Sequence, residues 1–308
     1  MFTPKDFLET AEGLLFAVVA AQLEHDKCLC FLRYVKQNGQ WQKYATDDAN
    51  VFLQQNYPEY LHYSQQLDAE LHAVAVDRVS QHHCPRRRLH SLLTQPPDDA
   101  VEQDLHQLAQ LFYHHKLDLT EIGITGSLLA AVHNTRSDID LVCYEHATFE
   151  HARLLIEQLI NQGLLSALSE SDWHESYQRR DSELSFTEYV WHEQRKFNKA
   201  VINGRKFDLS LVNKNPVSTE RYRKLSTIKL CCQVSDDSQA FAYPAQLGLN
   251  HPEITSVVSF TATYNGQAFL GETVEISGLL EQNESGQKRI VVGSSREAKG
   301  EYIKVTHA

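Results

Sequence analysis

Between residues 122 and 142 the chain carries two features that few folds accommodate together. A short strand-like segment, Ile122–Thr125, runs into Gly126-Ser127, and ten residues later comes Asp138-Ile139-Asp140-Leu141-Val142. Alternate residues of a strand point to one side, so Asp138 and Asp140 present paired carboxylates at the end of an otherwise apolar strand. Two ionised carboxylates there are costly unless neutralised, and a hard divalent cation with oxygen ligands neutralises them. A Gly-Ser pair opening a helical turn adds backbone N–H groups and a hydroxyl, which suit an anion. A phosphate site beside a cation site is what metal-assisted phosphoryl or nucleotidyl transfer requires. Phe207-Asp208-Leu209-Ser210-Leu211 offers a third carboxylate, in a strand that follows the hairpin signal Asn203-Gly204. Should that strand lie beside residues 139–144, the three carboxylates converge.

The surrounding pattern is α+β, in three parts. Residues 1–92 read as a small α+β domain. Leu14–Ala20 and Cys28–Val35 are strand-like, Asn38-Gly39 is a hairpin turn, and Leu53–Tyr63 is a helix stopped or kinked at Pro58. Gln95-Pro96-Pro97 is a break, and the core domain, 93–223, follows. There Asp99 and Glu102 have capping-box spacing, and Val101, Leu105, Leu108, Leu111 and Phe112 share one helical face. A second helix is expected over Phe149–Ile160, stopped by Gly163. From about 224 the pattern is β only, with strands over Thr227–Val234, Ile254–Tyr264, Ala268–Leu280 and Arg289–Val292, and it suggests a small barrel over 224–308.

Gly126-Ser127, Asp138-Ile139-Asp140 and Asp208, in this order and spacing, resemble the nucleotidyltransferase superfamily that includes DNA polymerase beta. The motif likeness spans roughly 99–213. More loosely, Asn56-Tyr57-Pro58-Glu59-Tyr60 and Gly271-Glu272-Thr273 resemble a group of predicted nucleotidyltransferases with extra N- and C-terminal domains. The resemblance implies a core of a short mixed sheet flanked by helices and an OB-like C-terminal barrel. It implies that Asp138, Asp140 and Asp208 are catalytic and bind two Mg2+ ions, with Mn2+ an alternative. Gly126 and Ser127 would hold the β- and γ-phosphates of a nucleoside triphosphate, ATP by default. The nucleotide would pass to an RNA end, a protein side chain or a small molecule, with pyrophosphate released. One departure is plain: many small members carry an Arg and a Gly shortly after Gly-Ser, where this chain has Leu128-Leu129-Ala130-Ala131.

Arg195, Lys196, Lys199, Arg205 and Lys206 put five cations into twelve positions before Asp208. Lys199, Arg205 and Lys206 are read as nucleotide-binding; a solvated hairpin is the plainer alternative. Such local cations matter because the formal charge of the chain is −11, which disfavours wrapping of a long nucleic acid. The residues from 224 onward hold 7 basic and 9 acidic side chains; their aromatic residues are read mostly as core, with stacking on nucleic acid the alternative. The longest apolar run near the start, Leu14–Ala21, is eight residues and follows Asp6 and Glu9. That is too short for a membrane span and lacks a basic flank. Six cysteines are too sparse for a disulfide framework, so a cytoplasmic protein with reduced thiols and no membrane partner is expected. Cys28 and Cys30 fit one side of a strand, and Cys231-Cys232 fits core packing. His82-His83-Cys84 finds no second Cys/His pair at zinc spacing. From a different class, the alternative function is a catalytically inert nucleotide- or RNA-binding regulatory module on the same scaffold. A third reading makes Asp208 a core residue and the motif accidental.

Overall fold

Eleven-residue stretches of β-branched, aliphatic and aromatic residues build the first sheet. The computed structural model describes residues 2–65, 69–180, 182–212, 220–294 and 299–306. Its first seven strands are β1 (Phe7–Thr10), β2 (Leu14–Glu24), β3 (Lys27–Gln37), β4 (Gln40–Lys43), β5 (Leu61–Ser64), β6 (Ala69–Ala75) and β7 (Val79–His83). They pair in the order β5-β6-β3-β2-β1-β7, with β4 also on β3. Asn38 and Gly39, both at positive φ, make the β3–β4 turn. The helix expected over Leu53–Tyr63 is shifted: α1 runs Thr46–Asn56, a 3₁₀ turn holds Pro58–Tyr60, and Leu61 begins β5. Proline disfavours helical geometry in the residue before it, which explains the stop.

Side chains of alternate parity bury the two faces of this sheet. Leu8, Leu14, Phe16, Val18, Cys28, Cys30 and Leu32 pack with Ala49 and Leu53 of α1 and with Tyr60. On a second face Phe7, Leu15 and Tyr34 pack with Leu129 and Ala130. The second cluster brings the segment after Gly126-Ser127 against the N-terminal sheet.

The second sheet follows α2 (Pro85–Thr94) and α3 (Ala100–His114). It consists of β8 (Ile122–Ile124), β9 (Ile139–Cys143), β10 (Lys199–Ile202) and β11 (Arg205–Leu211). The short α4 (Gly126–Leu129) lies between β8 and β9, and α5 (His146–Asn161), α6 (Glu170–Arg180) and α7 (Phe186–Gln194) lie between β9 and β10. The order is β10-β11-β9-β8, with β9 and β11 parallel and β8 antiparallel to β9. Asp99 caps α3 by accepting from the N–H groups of Val101 and Glu102, while Glu102 accepts from Asp98 N–H rather than from the cap itself. Phe112 of α3 meets Phe207 of β11 edge to face, and Leu105, Leu108, Ile122, Leu141 and Leu209 are buried.

The third sheet holds β12 (Tyr222–Gln239), β13 (Ala245–Leu249), β14 (Ile254–Ser259), β15 (Thr273–Asn283), β16 (Lys288–Val292) and β17 (Tyr302–Val305). Its order is β12-β13-β14-β16-β15-β17, and β12 pairs with β15 as well. The ladders therefore close on themselves through five strands. Cys231 is exposed and Cys232 partly so. The two therefore point to opposite faces: Cys232 shares the half-buried face that Val234 joins, whereas Cys231 faces solvent and takes no part in core packing. The protein is thus mixed α+β, with three sheets and seven α-helices among the described residues. None of those helices is long and apolar enough to cross a membrane. Contacts divide the chain into two compact units, residues 1–155 with 201–218 and residues 156–200 with 219–308.

One buried histidine ties the first sheet together. His72 Nδ1 accepts from Leu32 N–H at 2.8 Å, and its Nε2–H donates to Asn50 Oδ1 at 2.7 Å. This pattern requires the neutral ring, and burial lowers its pKa to about 4. The unfolded chain therefore binds the proton more readily. The contribution of His72 is complete above pH 6.5 and is lost as pH falls toward 4, by up to about 3 kcal/mol. Urea unfolding followed between pH 7 and 4 should lose stability in this window, and His72→Gln should flatten that part of the profile.

Candidate active site

The parallel pairing of β9 and β11 sets the register: Ile139 faces Phe207, Asp140 faces Asp208, and Leu141 faces Leu209. The apolar partners are buried and the two aspartates partly exposed. Neighbouring strands lie about 4.8 Å apart, so two carboxylates stand side by side on one face, with Asp138 two residues before Asp140. Lys206 and Ser210 share the face of Asp208 by the two-residue period of β11.

Gly126 fits against this pair. Thr125 N–H donates to Asp140 O at 2.8 Å, which brings the β8–α4 turn over the acidic strand. A Cβ on Gly126 would lie 2.0 Å from Asp140 Oδ2, and the residue adopts φ +65°. Glycine is thus required by backbone conformation and by close approach at once. Ser127 is partly exposed beside it, whereas Leu128, Leu129 and Ala130 are buried.

The predicted cations divide. Arg205 Nε donates to Asp104 Oδ2 at 2.7 Å, and its Nη1 donates to the carbonyls of Ser137 at 2.7 Å and Thr135 at 3.1 Å. It therefore pins the loop that delivers Asp138. Lys199 pairs with Glu193, a buried carboxylate that pairs with Lys196 too. Two charges in this neighbourhood have no motif to announce them, Lys5 in the turn before β1 and Lys43 at the end of β4.

Burial pushes the Asp140 carboxyl up to about 7, and the like charges of Asp208 and Asp138 add to the rise, while Lys5 and Lys43 oppose it. Tyr34 of β3 feels the same group: burial raises its phenol, and Asp140 adds to that rise. The donor set is all carboxylate oxygen with mutual repulsion, which suits a hard divalent cation. Among the described residues no group of three or more His, Cys, Asp or Glu side chains already stands at metal-holding distance, so the fit is one of charge and donor chemistry. Elsewhere, His82 pairs with Asp6 and His83 with Glu9.

The chain is 32% identical, over 335 aligned positions, to the uncharacterized protein MJ1086 of Methanocaldococcus jannaschii, and the alignment covers 98% of each protein. The chain belongs to the family of that protein. The kinship therefore extends over all three sheets and not the acidic segment alone. No family model matches the chain, and no solved structure matches it.

Two substitutions probe the geometry without reference to activity. Gly126→Ala forces a methyl onto Asp140 at positive φ and should cost about 1–3 kcal/mol in chemical unfolding. Asp140→Asn should act in the opposite direction. A carboxyl whose pKa is raised on folding supports the fold below pH 4, and that support is lost as pH rises through about 7. At pH 8 the asparagine variant should therefore be the more stable by on the order of 2 kcal/mol, with the gap closing near pH 4. An equal gap at both pH values would contradict the electrostatic account.

Proposed function

We propose that this chain is a magnesium-dependent nucleotidyltransferase of the DNA polymerase beta-like superfamily. The observation that carries the reading is the register pairing of Asp140 with Asp208, with Gly126 lying against the Asp140 carboxylate. Asp138, Asp140 and Asp208 would hold two Mg2+ ions, or Mn2+, which would offset triphosphate charge and make the acceptor hydroxyl more acidic. Gly126 and Ser127 donate backbone N–H groups and a hydroxyl to the β- and γ-phosphates. Asp208, on the face of Asp140, takes the proton of the acceptor hydroxyl at a carboxylate oxygen. The acceptor oxygen then bonds to the α-phosphorus as the bond from that phosphorus to the bridging oxygen breaks, and pyrophosphate leaves. Arg205, tied to Asp104 and to two loop carbonyls, positions Asp138 and is not read as a phosphate ligand here. Lys206 shares the face of Asp208, and Lys199 belongs to the nucleotide-binding set expected from sequence.

ATP is the default donor, and an RNA end, a protein side chain or a small molecule the acceptor. The ring of five strands in the third sheet is read as an OB-like barrel, and the protein as cytoplasmic. A second reading keeps the scaffold as an inert nucleotide- or RNA-binding regulatory module; the apolar Leu128-Leu129-Ala130-Ala131 segment favours it. Incubation with Mg2+ and each α-labelled nucleoside triphosphate, with RNA, DNA or cell extract as acceptor, separates the two. Transfer with pyrophosphate release that Asp140→Asn reduces by about 1,000-fold or more is expected. Binding of Mg-ATP without any turnover would favour the inert module.

A further inference from the structure

Three carboxylates and the triphosphate of the proposed substrate put more negative charge in one place than two divalent ions offset, so the site needs cations from the protein. The basic residues of the β10–β11 hairpin are partly committed elsewhere, Arg205 to Asp104 and Lys199 to Glu193. The segment after Gly126-Ser127, Leu128-Leu129-Ala130-Ala131, is apolar and offers no cation. The fold explains why: Leu129 and Ala130 pack against Phe7, Leu15 and Tyr34 of the N-terminal sheet. An arginine there would have to be buried in that contact.

The sheet that takes up this space brings its own cations. Lys5 is exposed and adopts φ +77°, a conformation uncommon for a residue with a side chain. Two hydrogen bonds hold it there. Its N–H donates to Val18 O at 3.0 Å, and its carbonyl accepts from Thr125 Oγ1 at 2.9 Å. Thr125 immediately precedes Gly126, so the Lys5 backbone is fastened to the turn that meets the Asp140 carboxylate. Lys43, also exposed, is the register partner of Tyr34 across the β3–β4 ladder. Directly opposed residues share a face, here the face that Tyr34 buries on Leu129 and Ala130. Lys5 thus stands beside the Gly126 turn, and Lys43 beside Tyr34, which packs on the segment that follows that turn. Among the described residues neither is engaged in an ion pair, unlike Lys196, Lys199 and Arg205.

We propose that Lys5 and Lys43 form a cationic wall, supplied by the N-terminal sheet, that binds the polyphosphate tail of the nucleoside triphosphate at the Gly126-Ser127 turn. This rests on the nucleotidyltransferase reading of the same site. The sheet thereby replaces, from residues far away in sequence, the basic residue that the apolar docking helix excludes. Lys36 and Trp41 lie on the same face by the two-residue period, with the Lys36 ammonium 5.5 Å from the Trp41 ring centroid, and this pair braces the β4 strand that carries Lys43.

The test is calorimetric titration of the full chain, in Mg2+, with ATP and separately with inorganic tripolyphosphate. The proteins are wild type, Lys5→Met/Lys43→Met, Lys5→Arg/Lys43→Arg and a surface-charge control, Lys27→Met. The double methionine variant should bind both ligands about ten- to a hundredfold more weakly, with an unchanged thermal midpoint. The arginine pair should restore most of the affinity, and Lys27→Met should behave as wild type. Wild type that binds neither ATP nor tripolyphosphate sinks the nucleotide reading itself. Wild type that binds Mg-ATP in a manner sensitive to Asp140→Asn, while the double methionine variant binds equally well, overturns the wall and leaves the nucleotide reading standing. An equal loss in Lys27→Met also overturns it, because net charge alone would then explain the effect.

Discussion

A carboxylate lying against a glycine α-carbon is the constraint around which the first unit is arranged. For Asp140 to reach that position, β9 must run beside β11 in its observed register, and the β8–α4 turn must fold over the strand end at positive φ. The turn stays there because its far side is apolar and buried against a second sheet. Each element answers to another. Removing the apolar contact would free the turn, and removing the turn would leave two adjacent like charges facing solvent. The acidic pair is unfavourable by itself, and the rest of the unit holds it in place.

Cation partnerships divide into holding and exposed ones. Arg205 spends its guanidinium on Asp104 and on two carbonyls of the loop before Asp138. Lys196, buried and bonded to Glu193 and the Thr263 carbonyl, does similar work in the other unit. Burial draws the Lys196 ammonium down to about 8 while Glu193 opposes the fall. Such pairs fix geometry more surely than they add stability, since desolvation offsets much of their attraction. Lys5 and Lys43 are of the exposed kind.

Much of this was legible in the sequence wherever the signal was local. Asn38-Gly39 and Asn203-Gly204 turn at positive φ as their residue types demand, and Asp99 caps its helix; the pairing of the Asp208 strand with the Asp140 strand is not local, and the sequence offered it only as a condition. The helices α2, α6 and α7 were not legible. Glu170–Arg180 buries Trp173 and Ser176 within an otherwise polar run, too little to show a stripe. Of the Cys231-Cys232 pair, expected to pack in the core, Cys231 is exposed because one of two adjacent strand residues must face away from the buried side. The contribution of Lys5 and Lys43 was beyond reach for a different reason. The contact between Lys5 and Thr125 spans 120 residues, and nothing in the spacing of either segment points to the other.

The longest strand has a consequence of its own. β12 runs from Tyr222 to Gln239, pairing with β15 over Tyr222–Gln233 and with β13 over Val234–Gln239, with irregular register in both stretches. A single ribbon thus serves two walls, and its bulges supply the curvature that lets it do so. Fraying at either end of such a ribbon opens the closed ladder, since each end holds one of the two walls. The ring should accordingly melt as one body rather than peel away strand by strand.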